Sequence, residues 1–205
     1  FLLIFLRVPI GIALAIAGAS GYYALSGLDT TLALLGSVPF EIAYNYDLSI
    51  IALFVLMGNY AMVSGMSRDL YALARGLVGH WPGGLASATV VGCAGFAAVS
   101  GSSLASAVTM GRVALPEMER YHYSPRLATG CVAAGGTLGI LIPPSTGFII
   151  YALLTEESIG QLFLAGVLPG ILLTLLFMAT IALMTRANPE IGPAASRQSV
   201  GERLR

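Results

Sequence analysis

Long apolar runs alternate with short polar connectors along the 205 residues, and the run lengths predict the elements. Residues 3–25 and 48–66 each approach the ~20 apolar positions that a helix needs to cross a ~30 Å hydrocarbon core. Between them, 26–47 reads as a partly apolar loop bearing Asp29, Glu41 and Asp47, and 67–82 follows as a polar-faced connector with Arg68, Asp69, Arg75 and His80. The run from Pro82 to Pro116 behaves differently. It is too short to cross twice with a turn, and as one helix at 1.5 Å per residue it would be about 50 Å long. Ser100-Gly101-Ser102-Ser103 interrupts it midway. Polar, non-helical backbone survives at membrane depth only when buried in protein or lining a wet cavity, so 83–116 is predicted to be a re-entrant helical hairpin with a serine-rich tip. After a second polar connector at 117–126, the apolar region 127–154 is broken by Gly139-Ile140-Leu141-Ile142-Pro143-Pro144-Ser145. A last clean span covers 159–185, and a polar tail begins at Arg186.

Arginine placement tests this layout. Arg7, Arg68, Arg75, Arg112, Arg120, Arg126, Arg186, Arg197, Arg203 and Arg205 share one side of the membrane only if the hairpin returns to the side it entered. The opposite loops carry Asp29, Glu41, Asp47, Glu156 and Glu157 without an arginine, so the arginine side is expected to be cytoplasmic. With 57% hydrophobic and 10% charged residues and a mean hydropathy of +0.85, the chain reads as an all-α integral membrane protein. A formal charge of zero and the absence of lysine argue against nucleic acid as a partner. Cys93 and Cys131 sit among small apolar residues as buried hydrophobes, without metal-ligand spacing. The chain opens inside an apolar run and stops in a polar one, and we expect it to be part of a longer protein.

Two features carry candidate chemistry. From Gly83 to Gly111, 18 of 29 residues are Gly, Ala or Ser, which lets helices pack closely. At the tip, Ser100, Ser102 and Ser103 add three hydroxyls, hard oxygen donors suited to Na⁺, and half-helix ends add dipoles. In the second feature, Pro143 and Pro144 remove two N–H donors and push the preceding residue out of helix, while Gly135, Gly136 and Gly139 ease unwinding. A broken helix beside a re-entrant hairpin is the recurring construction of secondary-transporter sites. A third pattern, Gly18-Ala19-Ser20-Gly21, matches the serine motif of rhomboid proteases, but His80 and His122 lie in connectors on the opposite side and no base reaches Ser20. Arg112 reads as snorkelling to the interface, Asn59 as an interhelical bridge and Trp81 as an interfacial anchor.

Several segments recur in the order of a known family: Phe54-Val55-Leu56-Met57-Gly58-Asn59, Ala98 to Ala105, Leu115-Pro116-Glu117-Met118, Gly135 to Ser145, and Phe163 to Gly170. Across about 48–175 the sequence resembles the large permease subunit of TRAP (tripartite ATP-independent periplasmic) transporters, the DctM family. The resemblance implies a sodium-driven elevator transporter built from two inverted repeats, of which this chain would carry the first. It implies a small TRAP membrane subunit in the static scaffold and a periplasmic solute-binding protein that delivers a carboxylated organic solute. Carried over by motif, Ser100, Gly101, Ser102 and Ser103 would be the first hairpin tip. Gly136, Thr137, Gly139, Pro143, Pro144 and Ser145 would be the facing broken helix that shares a sodium site.

The expectation is therefore the N-terminal half of a TRAP large permease, a multi-pass protein of the bacterial or archaeal inner membrane surrounded by lipid. Residues 1–82 would form scaffold-type spans and a connector, 83–185 a transport-type region, and 186–205 a cytoplasmic linker to a second half. It would need Na⁺ as coupling ion, no other cofactor, and no catalytic residues. The rival readings are a stand-alone ion-coupled organic-anion symporter without a binding protein, a channel with a re-entrant loop, and the rhomboid-like protease.

Overall fold

The computed structural model describes residues 2–44 and 46–193, and among these it is built from helices without a strand. The chain divides into two compact units, residues 1–49 and 50–205.

In the first unit, α1 (Leu2–Phe5) ends at Arg7, whose φ is +60°, and α2 (Ile10–Ser26) starts after Pro9. The expected span 3–25 is thus interrupted near its start, because Pro9 cannot continue a helix from the preceding turn but is well placed at a helix start. The expected loop 26–47 is corrected: Leu28–Tyr44 is a 17-residue helix, α3. Gly27 (φ +81°) separates it from α2, Asp29 stands in its first turn, and Thr30 and Thr31 direct their hydroxyls to carbonyls at Ser26 and Gly27. Asp29 suits a helix N-terminus, where acidic side chains are favoured, and the two threonine hydroxyls satisfy carbonyls of the turn that precedes it.

α4 (Tyr46–Val63) corresponds to the second expected span, and Gly65 at φ +83° turns the chain into α5 (Met66–Val78). The segment read as a hairpin forms two antiparallel helices, α6 (Gly84–Ser100) and α7 (Ser103–Arg120). Their pairing is fixed by Thr89 against Met118 near the base and Ser100 against Ser106 near the tip. The second arm runs through Pro116 to Arg120, so the connector expected at 117–126 shrinks to the turn 121–124. Next come α8 (Pro125–Leu141), a break at 142–145, α9 (Thr146–Thr155), α10 (Ile159–Ala187) and a 3₁₀ turn at Pro189–Ile191. The tail from 194 onward, with Arg197, Arg203 and Arg205, lies outside the described residues.

α6 is the centre of the second unit. Leu85, Val90, Cys93 and Phe96 are fully buried, as are Met110 and Met118 of α7 and Leu138 of α8. A helix that is apolar all round belongs in an interior, and α6 is enclosed by α5, α7, α8 and α10. α5, expected in the scaffold-type region, lays Leu70 and Tyr71 on Gly95 and Gly92 of this helix. At the hairpin base Arg75 of α5 pairs with Glu117 of α7, donates to Tyr121 Oη at 2.8 Å, and stacks over the Tyr121 ring. The chain after α10 also returns to this base, with the Gly83 N–H donating to the Gly192 carbonyl at 2.9 Å and Ser124 N–H to Ile191 at 3.0 Å.

α10 has the opposite character. It is 29 residues long, its most apolar 18-residue stretch has a mean hydropathy of 2.4, and Leu164, Leu168, Leu172 and Leu176 are exposed along it. Such a continuous apolar surface suits hydrocarbon rather than water. Among the described residues, Pro125–Thr155 is the other segment long and apolar enough to cross a membrane, with its break counted within it.

Candidate functional site

The tip is a reversal of two residues. α6 ends at Ser100, and Gly101 takes the left-handed conformation (φ +59°, ψ +15°) while its N–H bonds the Ala97 carbonyl at 3.0 Å. Glycine carries this C-cap without the strain a Cβ would bring. Ser102 is extended and caps α7: its Oγ accepts the Ala105 N–H at 3.3 Å. Ser100 and Ser106, both buried, brace the two arms through hydroxyls 3.0 Å apart.

The break is equally local in origin. Ile142 leaves helical conformation with its N–H still bonded to Leu138 at 2.8 Å. Pro143 and Pro144, joined by a cis peptide bond, and extended Ser145 carry the chain to α9. Proline rings and missing donors forbid the helix from running through. Gly166 and Gly170 of α10 make room for it, the first against the Leu141 carbonyl and the Phe148 ring, the second against Ile142.

These two discontinuities are packed onto each other. The Gly101 carbonyl accepts both the N–H (3.4 Å) and the hydroxyl (3.1 Å) of Thr146, the first residue of α9. A Cβ on Gly101 would sit 2.7 Å from the Pro144 carbonyl oxygen, and one on Gly139 would sit 2.6 Å from the carbonyl of Ser102. Gly136 lies against Ala107 in the same way, at 2.6 Å. From α4, Gly58 approaches the Ser100 carbonyl, with 3.2 Å to a Cβ placed there.

Of the residues expected at the site, Ser100, Gly101, Ser102, Ser103, Gly136, Gly139, Pro143, Pro144 and Ser145 are brought together at this junction. Thr137 is not: it is exposed on α8 and its hydroxyl donates to the Ala134 carbonyl at 2.6 Å. Sequence reasoning missed Ser106, Thr146, Gly58, Gly166 and Gly170. Ser106 was legible in principle, since it follows Ser103 by three positions and therefore faces back along α7.

Four helix ends meet here. The C-termini of α6 and α8 present carbonyl oxygens, which favour a cation, and the N-termini of α7 and α9 present N–H groups, which favour an anion. Ser145 is fully buried, and its Oγ has no hydrogen-bond partner among the described residues. Buried hydroxyls are ordinarily paired, and this one can donate a hydrogen bond or offer its oxygen to a cation. Among the described residues no group of three or more His, Cys, Asp or Glu could hold a metal ion. The available donors are hydroxyls and carbonyls, a set suited to hard, weakly charged cations rather than to transition metals.

Comparison with known proteins places this arrangement in context. The family profile of the tripartite ATP-independent periplasmic transporter DctM component matches residues 1–205. The chain is 44% identical over 165 residues (80% of its length) to the C4-dicarboxylate TRAP transporter large permease protein DctM of Pseudomonas aeruginosa. It is 35% identical over 172 residues (84%) to the isethionate TRAP transporter permease protein DctMQ of Oleidesulfovibrio alaskensis. With the sialic acid TRAP transporter permease protein SiaT of Haemophilus influenzae it shares 30% identity over 178 residues (87%). The aligned regions cover 38%, 27% and 29% of these relatives, so the chain spans well under half the length of the curated relatives it matches.

Proposed function

The chain belongs to the DctM component family of tripartite ATP-independent periplasmic transporters, and on that premise we propose that it forms the first ion- and solute-binding half of a sodium-coupled large permease. Proteins of this family are membrane permeases and not enzymes, which sets aside the protease reading of Ser20, whose hydroxyl donates to the Ala17 carbonyl of its own helix. In the proposed reading α6 and α7 form a re-entrant hairpin in a multi-pass protein of the inner membrane. Residues 83–185 move as the transport-type region of an elevator, residues 1–82 supply scaffold-type spans and a connector, and a second inverted repeat completes the site. A small membrane subunit and a periplasmic solute-binding protein are the proposed partners.

The observation that carries this reading is the seating of the Ser100–Ser103 tip on the Ile142–Ser145 break through the Gly101–Thr146 pair, with the unpartnered Ser145 hydroxyl buried beside it. Na⁺ is the proposed coupling ion, held by hydroxyl and carbonyl oxygens at the C-terminal ends of α6 and α8. Its charge would hold the tip in place and make the neighbouring N-termini of α7 and α9 a better receptor for an anionic group. The solute is proposed to be a carboxylated organic acid, in line with the dicarboxylate and sialic acid named for two of the relatives. The sulfonate isethionate, named for the third, is the reason to include a sulfonate in the trial set.

The test is uptake into liposomes by the complete permease with its small subunit, with the binding protein outside and with or without an inward Na⁺ gradient. Uptake that needs both Na⁺ and the binding protein is expected. Uptake with Na⁺ alone would instead establish a stand-alone symporter, and unitary currents without saturable uptake would establish a channel.

A further inference from the structure

Between α8 and α10, away from the tip and the break, lies a laterally placed groove of about 400 Å³. Its walls include Leu127, Gly130 and Ala134 on α8 and Phe177 and Ile181 on α10, and Arg126 stands at one end. Arg126 follows Pro125, the first residue of α8, so the groove begins at the arginine-rich end of both helices, where Arg186 also lies in the last turn of α10. From Arg126 to Ala134 it follows α8 for about 12 Å at 1.5 Å per residue, close to one leaflet of a ~30 Å core. A groove of the same design lies on another face of α10, about 510 Å³ in volume, with Leu175 and Ala182 in its wall and Arg186 and Trp81 at its rim.

We propose that the α8–α10 groove binds one acyl chain of an anionic phospholipid of the inner leaflet, with the lipid phosphate on Arg126. Apolar lining and charge both favour this occupant. The lining is mainly apolar along about 12 Å of α8, and the cation stands at the arginine-rich end of the groove rather than midway, as the acyl chain and phosphate of one lipid require. The positive end of α8 adds to the field of Arg126 and favours a net negative headgroup over a zwitterionic one. Nothing in this proposal depends on sodium coupling or on the identity of the transported solute.

Two substitutions separate headgroup from chain. Arg126→Gln removes the cation and leaves the groove open. Gly130→Leu fills the groove and leaves the cation, and Gly130 tolerates a side chain because a Cβ there meets nothing within 4 Å. The experiment uses the complete permease in vesicles of phosphatidylethanolamine with a minority of phosphatidylglycerol, and counts co-purified lipid by native mass spectrometry. We expect wild type to retain one phosphatidylglycerol, Arg126→Gln to lower its occupancy about fivefold, and Gly130→Leu to abolish it while melting as wild type does. A phosphatidylglycerol analogue with a photoreactive acyl chain should label 126–134 and 177–184. The proposal is overturned if wild type retains no phosphatidylglycerol, if phosphatidylethanolamine is retained equally well, or if the photoprobe labels other segments only. Retention by Gly130→Leu at the wild-type level would overturn it as well.

Discussion

Thr146 and Gly101, 45 positions apart, are joined twice: the Thr146 hydroxyl donates to the Gly101 carbonyl at 3.1 Å and its N–H does so at 3.4 Å. The pair makes the seating of the tip depend on the first residue of α9. Thr146→Val removes the hydroxyl bond and keeps the N–H, a loss of about 1 kcal/mol, or roughly fivefold in an equilibrium. If ion binding needs the seated tip, the Na⁺ concentration for half-maximal uptake should rise about fivefold, and Thr146→Ser should restore it. An unchanged sodium requirement in Thr146→Val would separate the pair from ion binding.

Ser145 and Ser102 make opposite predictions although both are serines at the junction. Ser145 Oγ is buried without a partner among the described residues, and a buried hydroxyl left unpaired costs about 1–3 kcal/mol. Ser145→Ala should therefore raise the melting temperature in sodium-free buffer and erase the rise that Na⁺ produces in wild type. Ser102 Oγ caps α7 through the Ala105 N–H, so Ser102→Ala should lower stability by about 1 kcal/mol even without sodium. Thermal melts of both variants with Na⁺ and with choline decide the matter. Destabilisation of the sodium-free protein by Ser145→Ala would mean that its hydroxyl is already satisfied.

The interruption of the two apolar runs was legible in the sequence because it is written in composition: hydroxyls and glycine at 100–103, two prolines at 143–144. The structure puts the helix ends within a residue or two of those signals, since proline and a glycine C-cap act locally. What the sequence did not disclose is rotation. Thr137 and Thr146 are both threonines near the break, yet one faces out and bonds its own helix while the other faces the tip. That difference depends on where α8 ends and how α9 is redirected, neither of which a one-dimensional pattern records. Helix α3 was missed for a related reason, because Asp29, Thr30 and Thr31 carry the same letters whether they line a loop or begin a helix.

Gly139 tests how tightly α8 must approach the tip. A Cβ there would stand 2.6 Å from both the carbonyl carbon and oxygen of Ser102, and backbone cannot step aside as a side-chain end can. Gly139→Ala should cost about 1–3 kcal/mol of overpacking and push the tip away from the break. Uptake should fall sharply. Gly130→Ala, on the same helix but in open space, should leave both stability and transport close to wild type. Equal transport by the two alanine variants would mean that the junction opens freely and does not hold the tip.

Tyr71 gives a pH signature outside the membrane-spanning segments. It lies on the connector helix α5, is 5% exposed, and its hydroxyl makes no well-formed hydrogen bond among the described residues. Burial pushes its acidity constant well above the ordinary tyrosine value of 10.0; the negative charge of Glu117 adds to the rise, and Arg75 and a weak hydrogen bond with Thr89 oppose it. The folded protein therefore favours neutral Tyr71 more than the unfolded chain does. That contribution to stability is complete below the unfolded value near 10 and is lost as pH rises through the higher folded value. In detergent, wild type should lose melting temperature above pH ~10 more steeply than Tyr71→Phe, whose phenyl ring cannot ionise. Tyr123, also raised chiefly by burial, is present in both proteins and cancels in the comparison. At neutral pH, Tyr71→Phe deletes a buried hydroxyl whose interaction with Thr89 is weak and which makes no well-formed hydrogen bond among the described residues, so its melting temperature should stay close to that of wild type. A drop of several degrees at neutral pH, or parallel alkaline curves, would show that the Tyr71 hydroxyl is already bonded or solvated.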